Sequence, residues 1–440
     1  MLKKVDLTQG AIAQKAIKDA SFPAPFDPTL EYSAAVRGTW NIVNTGMLVP
    51  QSHEIFVCAQ GCLRGVVLTA AEMGTMDRFS SIFVQENNVL DGDMESLIID
   101  GVSDILAKLK YTPRAVLIYT SCIHHFIACD LNFVYTTLRE KFPHIDFIDC
   151  YMTPTMRKSG LNPEELMCRQ LYSLWRKQAL DKTRVNIIGN NIATDKESDL
   201  IKLLTDNNLK VTEIHDCHTY DEYQEMAKGA VNIFYNSVAW PAVKYFKETY
   251  GQDYLYLPLS YNYDEMNATL AQVAQYFKIP LPDYSHYKEL IEEKLKQAKE
   301  LIQDTPIAID YTVSMRILSL ARLLLDHGFN VTRLYADSFE AVEKDDFLYL
   351  QERYPQLQIF SVINFKMRFN HYSTGSKTLA IGQKAAYFTD TPYFVNTINN
   401  SGFHGFNGIL KMLDLIIEAF QEEKDTAKLV QKKAWGCELI

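Results

Sequence analysis

Two cysteine-bearing segments place thiols where an apolar run gives way to a helical pattern. In the first, Cys58 and Cys62 follow Ile55-Phe56-Val57, with Gly61 between them. In the second, Cys122 ends the run Val116-Leu117-Ile118-Tyr119-Thr120-Ser121, and Cys129 follows within the next helical pattern. The carboxyl ends of strands in an α/β sheet are where ligands bind, and gathered thiolates are the ligands an iron–sulfur cluster requires. Cys58, Cys62 and Cys122 are therefore candidate metal ligands, one short of the usual four. Cys129, a carboxylate or a residue of a second chain is the open choice for the fourth. A helix starting at Cys122 would carry Cys129 about two turns away, ~10 Å along the axis. Gly61 lets the backbone bend close to a bulky inorganic group. His124 and His125 directly follow Cys122, as proton donors near a cluster or as a helix-start pair with one ring exposed.

Free cysteine also packs as a small apolar residue. That reading suits Cys150, at the end of the run Ile145–Cys150, and the scattered Cys168 and Cys217, while Cys437 reads as a tail thiol. His215 and His218 flank Cys217, a weak metal-like pattern. The loop Asn399–Gly408, with glycines at 402, 405 and 408, opens the last long helical pattern. Its free amides could hold an anionic or polar ligand. His404 in that loop is a candidate proton donor, or a residue that fixes the glycine turn. The Gly-Lys-Ser/Thr of a phosphate-binding loop is missing, so no nucleotide is expected on this chain. No serine has the nucleophile-elbow context of a hydrolase.

The elements that must position these groups alternate strand and helix, which implies βαβ units and mainly parallel sheets. The first series has strands over 54–57, 80–85, 114–120 and 145–150, and helices over 63–73, 94–109 and 125–141. After a helix expected over 157–182, strands at 184–188, 210–215, 230–235 and 254–259 alternate with further helices. Residues 284–304 read as an exposed connecting helix. A third series runs from the strand at 306–311 to the helix at 409–422. The reading is α/β: three Rossmann-like domains with parallel sheets around a central cleft, at 1–180 with the cysteine site, 181–300, and 301–440 with the C-terminal helix. Pro23, Pro25 and Pro28 make the first fifty residues an arm wrapping the first domain. The 440 residues are 47% hydrophobic and 22% charged, with net charge −10. This balance argues against nucleic acid or an anionic membrane as the main partner. There is no apolar signal core and no bilayer-spanning stretch, so a cytoplasmic location is expected. Eight cysteines are too few for a disulfide scaffold of this size.

In order and spacing these motifs resemble the nitrogenase component 1 superfamily. That group spans the two subunits of the nitrogenase catalytic component, their cofactor-assembly scaffolds, and dark-operative protochlorophyllide and chlorin reductases. Cys58-Ala59-Gln60-Gly61-Cys62-Leu63-Arg64-Gly65-Val66-Val67 is similar to the family's first cysteine loop. Ser121-Cys122 through Ala128-Cys129-Asp130-Leu131 is similar to the later one, and Ser401–Gly408 to its glycine loop. The resemblance covers most of residues 50–425. It implies an oxygen-sensitive iron–sulfur cluster, [4Fe-4S] or larger, on Cys58, Cys62 and Cys122. It also implies an ATP-dependent iron–sulfur reductase protein as electron donor, a substrate in the interdomain cleft, and a homodimer or a heterotetramer with a homologous subunit. The family's middle cysteine has no counterpart in 70–77. Asn236 and Asn396 stand near where the nitrogenase α subunit has its cofactor cysteine and histidine, so a large molybdenum- or vanadium-type cofactor is not expected in the nitrogenase manner. An assembly scaffold of the same superfamily is the alternative, and a non-catalytic ligand-binding α/β protein is the rival of another class.

Overall fold

The computed structural model describes residues 13–34, 36, 38–153, 160–369 and 377–426. The tail thiol Cys437 and the first residues of the helix expected over 157–182 lie outside these. The chain opens with β1 (Gln14–Ala16). It continues through α1 (Ile42–Met47), β2 (Ser52–Cys58), α2 (Gln60–Glu72), β3 (Phe79–Phe83), α3 (Glu86–Asp91), α4 (Met94–Lys108), β4 (Ala115–Ser121), α5 (Cys122–Phe126), α6 (Leu131–Lys141), β5 (Asp146–Met152) and α7 (Pro163–Leu171). A second series holds β6 (Asp181–Ile187), α8 (Asp199–Thr205), β7 (Lys210–Glu213), α9 (Tyr220–Glu225), β8 (Gly229–Phe234), α10 (Trp240–Tyr250), β9 (Asp253–Tyr256), α11 (Tyr263–Phe277) and α12 (Ser285–Ile302). The third holds β10 (Ile307–Asp310), α13 (Ile317–Asp326), β11 (Val331–Tyr335), α14 (Lys344–Arg353), β12 (Gln358–Phe360), β13 (Leu379–Ile381), α15 (Gln383–Thr389), β14 (Phe394–Val395) and α16 (Gly405–Gln421).

These strands form three sheets, in the orders β3-β2-β4-β5, β7-β6-β8-β9 and β1-β12-β11-β10-β13-β14. Among the described residues, every pairing of these strands is parallel except β1 with β12. The α/β class and the parallel sheets thus agree with the sequence pattern. Two compact units result. One contains Trp40–Asn191 and Asn208–Tyr256, with the first two sheets; the other gathers the described residues before Trp40, Ile192–Asn207 and those from Leu257 onward.

In the first sheet, β2 and β4 are buried along their whole length. Helices cover both faces, which is why these strands read as near-continuous apolar runs. Phe56, Cys58, Tyr119 and Cys150 join Leu63, Val66 and Met167 in one core. Ile55, Val57, Val116 and Ile118 face the opposite core with Ile98, Val102 and Leu138.

Four expectations change. Only the later part of the N-terminal arm meets the first domain, through α1 against β2, α2 and α7; earlier, β1 adds antiparallel to β12, and Glu31 bridges to Asn364. The helix expected over 125–141 is two helices, because Ala128 takes a left-handed conformation (φ 53) between α5 and α6. The strand ending at Cys150 runs on to Met152. Helix α12 is not simply exposed; Ile291, Leu295, Ala298 and Ile302 bury one stripe at helical spacing.

Candidate functional site

The C-terminal edge of the first sheet carries the expected cysteines. Register places Val57 opposite Thr120 and Cys58 opposite Phe83. Cys58 therefore ends its strand beside the strand whose next residue is Cys122, the two strands being about 4.8 Å apart. Cys58 is fully buried against Phe56 and Leu63. Burial, with a smaller contribution from nearby Cys62, pushes its thiol up to about 12. Cys62 lies exposed in the first turn of α2, its N–H bonded to the Ala59 carbonyl at 2.9 Å. Gly61 is helical there rather than part of a glycine turn, and a Cβ on it would meet nothing within 4 Å.

Cys122 begins α5 and is half-buried. Its Sγ lies 3.9 Å from the Met152 carbonyl oxygen at the end of β5. Ser121 and His124 form a capping box: the Ser121 N–H donates to Nδ1 of His124 at 3.1 Å. That use of Nδ1 buries the ring almost completely, and burial holds its pKa below the ordinary value. His125 is exposed and tilts against Tyr151 at 5.5 Å. The pair thus divides into one buried cap and one accessible ring.

Cys129 belongs elsewhere. Helix α5 ends after five residues, and the Cys129 N–H returns to the His124 carbonyl at 2.9 Å. The separation of two helical turns is therefore absent. Its side chain packs on the core opposite to that of Cys58. The thiol is hydrogen-bonded to Glu95, and burial and that carboxylate push it up to about 12. Cys150, Cys168 and Cys217 are buried core thiols. Among the described residues, no three His, Cys, Asp or Glu side chains converge closely enough to hold one metal ion. The pattern around His215 and His218 thus makes no such site. A multi-iron cluster is a different demand, because its thiolates bind separate irons.

The glycine loop belongs to the other unit and is already capped from within. Asp199 accepts from the Asn407 amide at 2.8 Å and from the Phe406 amide. A Cβ on Gly405 (φ 86) would collide with that carboxylate, and one on Gly402 (φ 74) with the Ala193 carbonyl. The amides expected to receive an outside anion are thus engaged by the chain's own acid, at a helix N-terminus that favours negative charge. His404 is the N-cap residue of α16 and wholly buried, and burial lowers it to about 4, opposed by a hydrogen bond to Leu257. Asn236 caps a short helical turn by accepting from the Val238 N–H, and Asn396 accepts from Gln383.

Two features escaped the sequence reading. Glu54 lies two residues before Phe56 on the same face as Cys58, completely buried, 3.4 Å from the Tyr119 hydroxyl. Burial raises its carboxyl well above the ordinary range, against the opposing pull of Arg78 and Tyr119. An acid directly before the apolar run Ile55-Phe56-Val57 was the available signal. Next to Cys122, cavities of about 420 Å³ and 280 Å³ adjoin at Tyr151 and Thr153. They assemble residues distant in sequence, which no local pattern announces.

A family model described as nitrogenase component 1 type oxidoreductase matches residues 45–421. The solved structure named "Nitrogenase Cp1 at pH 6.5" is similar in fold, with a TM-score of 0.67 at 12% identity over 90% of this chain and 95% of that one. "Nitrogenase Cp1 at pH 5" gives 0.58 at 13% identity, over 90% and 92%. No curated protein matches.

Proposed function

The chain belongs to the nitrogenase component 1 type oxidoreductases, and from that premise we propose that it is a reductase subunit that binds an iron–sulfur cluster through Cys58, Cys62 and Cys122. Electrons would come at low potential from an ATP-hydrolysing iron–sulfur protein and leave to a substrate this chain helps to bind. The observation that carries the reading is the placement of Cys58 and Cys122 at adjoining ends of neighbouring parallel strands, with Cys62 accessible one helical turn beyond Cys58.

The donor set fits a cluster shared with a second chain better than an enclosed one. Cys62 is exposed and Cys122 half-exposed, and the elements leaving this edge present Phe83, Leu90, Phe126 and Phe133 to solvent. Apolar side chains grouped on one side of a molecule favour an interface. A homodimer or a heterotetramer with a related subunit would cover them and supply the remaining ligand. The chemistry a bound cluster supplies is one-electron storage and release. The protein's own part is to exclude water at Cys58, to hold Cys122 against the Met152 carbonyl, and to leave His125 available as a proton donor. His404, sealed in the other unit, is better assigned to holding the glycine loop. The engagement of Asn236 and Asn396 in local hydrogen bonds favours a substrate other than dinitrogen, since neither residue offers the thiolate or imidazole of the nitrogenase cofactor site.

The test is iron and sulfide analysis of anaerobically purified protein and of single variants. Cys58→Ala, Cys62→Ala and Cys122→Ala should each lose most of the iron, and Cys168→Ala should keep it. Full iron retention in Cys122→Ala would overturn the ligand assignment. Reduction by an iron-protein partner, followed by optical bleaching of the cluster, separates a reductase subunit from an assembly scaffold.

A further inference from the structure

The paired cavities beside Cys122 lie wholly within the first compact unit. The larger is walled on its apolar side by Trp40, Ile42 and Met152; the smaller carries His125, Tyr151 and Arg169. Neither Cys58 nor Cys62 is among the described residues lining them, so the space is not the cage of the proposed cluster. At about 420 Å³ and 280 Å³, the two together are of the size that encloses a small organic molecule.

Their polar groups differ: the larger carries Asn162 and Glu164, whose carboxylate accepts from Asn191 at 3.1 Å, and the smaller carries Arg169. Trp40, Ile42 and Met152 offer a slot suited to a flat apolar body. At the far end Arg169 is half-buried, and among the described residues it makes no ion pair or hydrogen bond that would neutralise it. Tyr151, between the two halves, gives its hydroxyl hydrogen to Asp149 at 2.7 Å, so its oxygen is already oriented. Asp149 keeps that carboxylate on Tyr151 rather than on Arg169. A guanidinium at a cavity wall selects an anionic oxygen pair, because its planar fork matches one. His125 stands beside it as a further ring donor or acceptor.

We propose that this cavity binds a small organic acid with a flat apolar body, its carboxylate toward Arg169 and its body between Trp40 and Met152. Met152, whose carbonyl borders Cys122, also lines the cavity, so such a ligand would sit one residue from a proposed cluster ligand. The assignment goes beyond the cluster reading and does not depend on it.

Titration calorimetry on the anaerobically purified full chain tests it, with 2-naphthoate and the neutral 2-naphthalenemethanol as probes. Naphthoate should bind saturably and about 10-fold or more tighter than the alcohol, the margin of a hydrogen bond to a charged group. Arg169→Gln should abolish that preference and leave the alcohol's affinity within about 2-fold, while Trp40→Leu should weaken both probes alike. Saturable naphthoate binding unchanged in Arg169→Gln would overturn the proposal. So would equal affinity of the two probes for the unaltered protein, a comparison that needs no variant to fold. Neither probe reports on iron, so failure here leaves the cluster assignment standing, and iron loss in the cysteine variants leaves this one standing.

Discussion

Glu54 shows how a single residue in a buried strand couples folding to pH. Its carboxyl is removed from water, and its folded pKa lies well above the ordinary 4.5. A raised carboxyl pKa means that the folded state favours the protonated form. The stability it contributes is fully present below about 4.5 and is lost as pH rises through the higher folded value. The parent protein should therefore lose more melting temperature between pH 5 and pH 8 than Glu54→Gln, which has no proton to release; equal losses in thermal melts would remove Glu54 as the cause. At this scale the sequence was a partial guide. It marked Cys58, Cys62 and Cys122 from the change of period beside them. It left open whether His124 and His125 are both proton donors or a helix-start pair with one ring exposed, and did not say which ring. It did not reveal that Glu95 captures Cys129, because that contact joins helix α4 to the link between α5 and α6, and their approach is set by packing on the sheet rather than by spacing along the chain.

Among the elements, caps and left-handed residues decide what periodicity leaves open. Helix α16 starts where Asp199 meets the Phe406 and Asn407 amides. Asp199→Ala should cost about 1–2 kcal/mol in chemical denaturation, the usual loss for an N-terminal cap. Gly402→Ala should cost about 1–3 kcal/mol from backbone strain alone, before the collision with Ala193 is counted. Gly61→Ala is the contrasting case. It is helical with open space beside it, so alanine should be neutral or stabilising by up to about 1 kcal/mol. Strands β2 and β4 were legible because both faces are buried and the apolar runs are long. The short β13 and β14, with α15 between them, were not read, since two or three residues carry no measurable period. The α5–α6 break was equally silent: Ala128, not a glycine, takes the left-handed turn. The earlier part of the N-terminal arm was misplaced because three prolines report only on what a segment cannot form, never on which sheet edge it will join.

For the molecule as a whole, the exposed apolar side chains at the cysteine edge bear on assembly. Anaerobic protein should scatter light as a species heavier than one chain, and Phe126→Asp should shift it toward the monomer with loss of iron, because the shared ligand leaves with the partner. An unaltered oligomer in that variant would place the interface elsewhere. The sequence announced three alternating series, and three sheets are present. What it did not announce is that the compact units are not consecutive along the chain. Residues 192–207 join the unit that also gathers the described residues before Trp40 and those from Leu257 onward, and β1 waits for β12. During synthesis this imposes an order. Helix α8 emerges from the ribosome with Leu200, Ile201, Leu203 and Leu204 destined for burial, yet α16, whose first turn its Asp199 caps, is still about 200 residues away. At roughly 5–20 residues per second, that is a wait of about 10–40 s with a sticky surface in the open. A chain cut after Tyr256 would wait indefinitely, so such a fragment should be recovered bound to a chaperone or as aggregate, even though both of its sheets are complete.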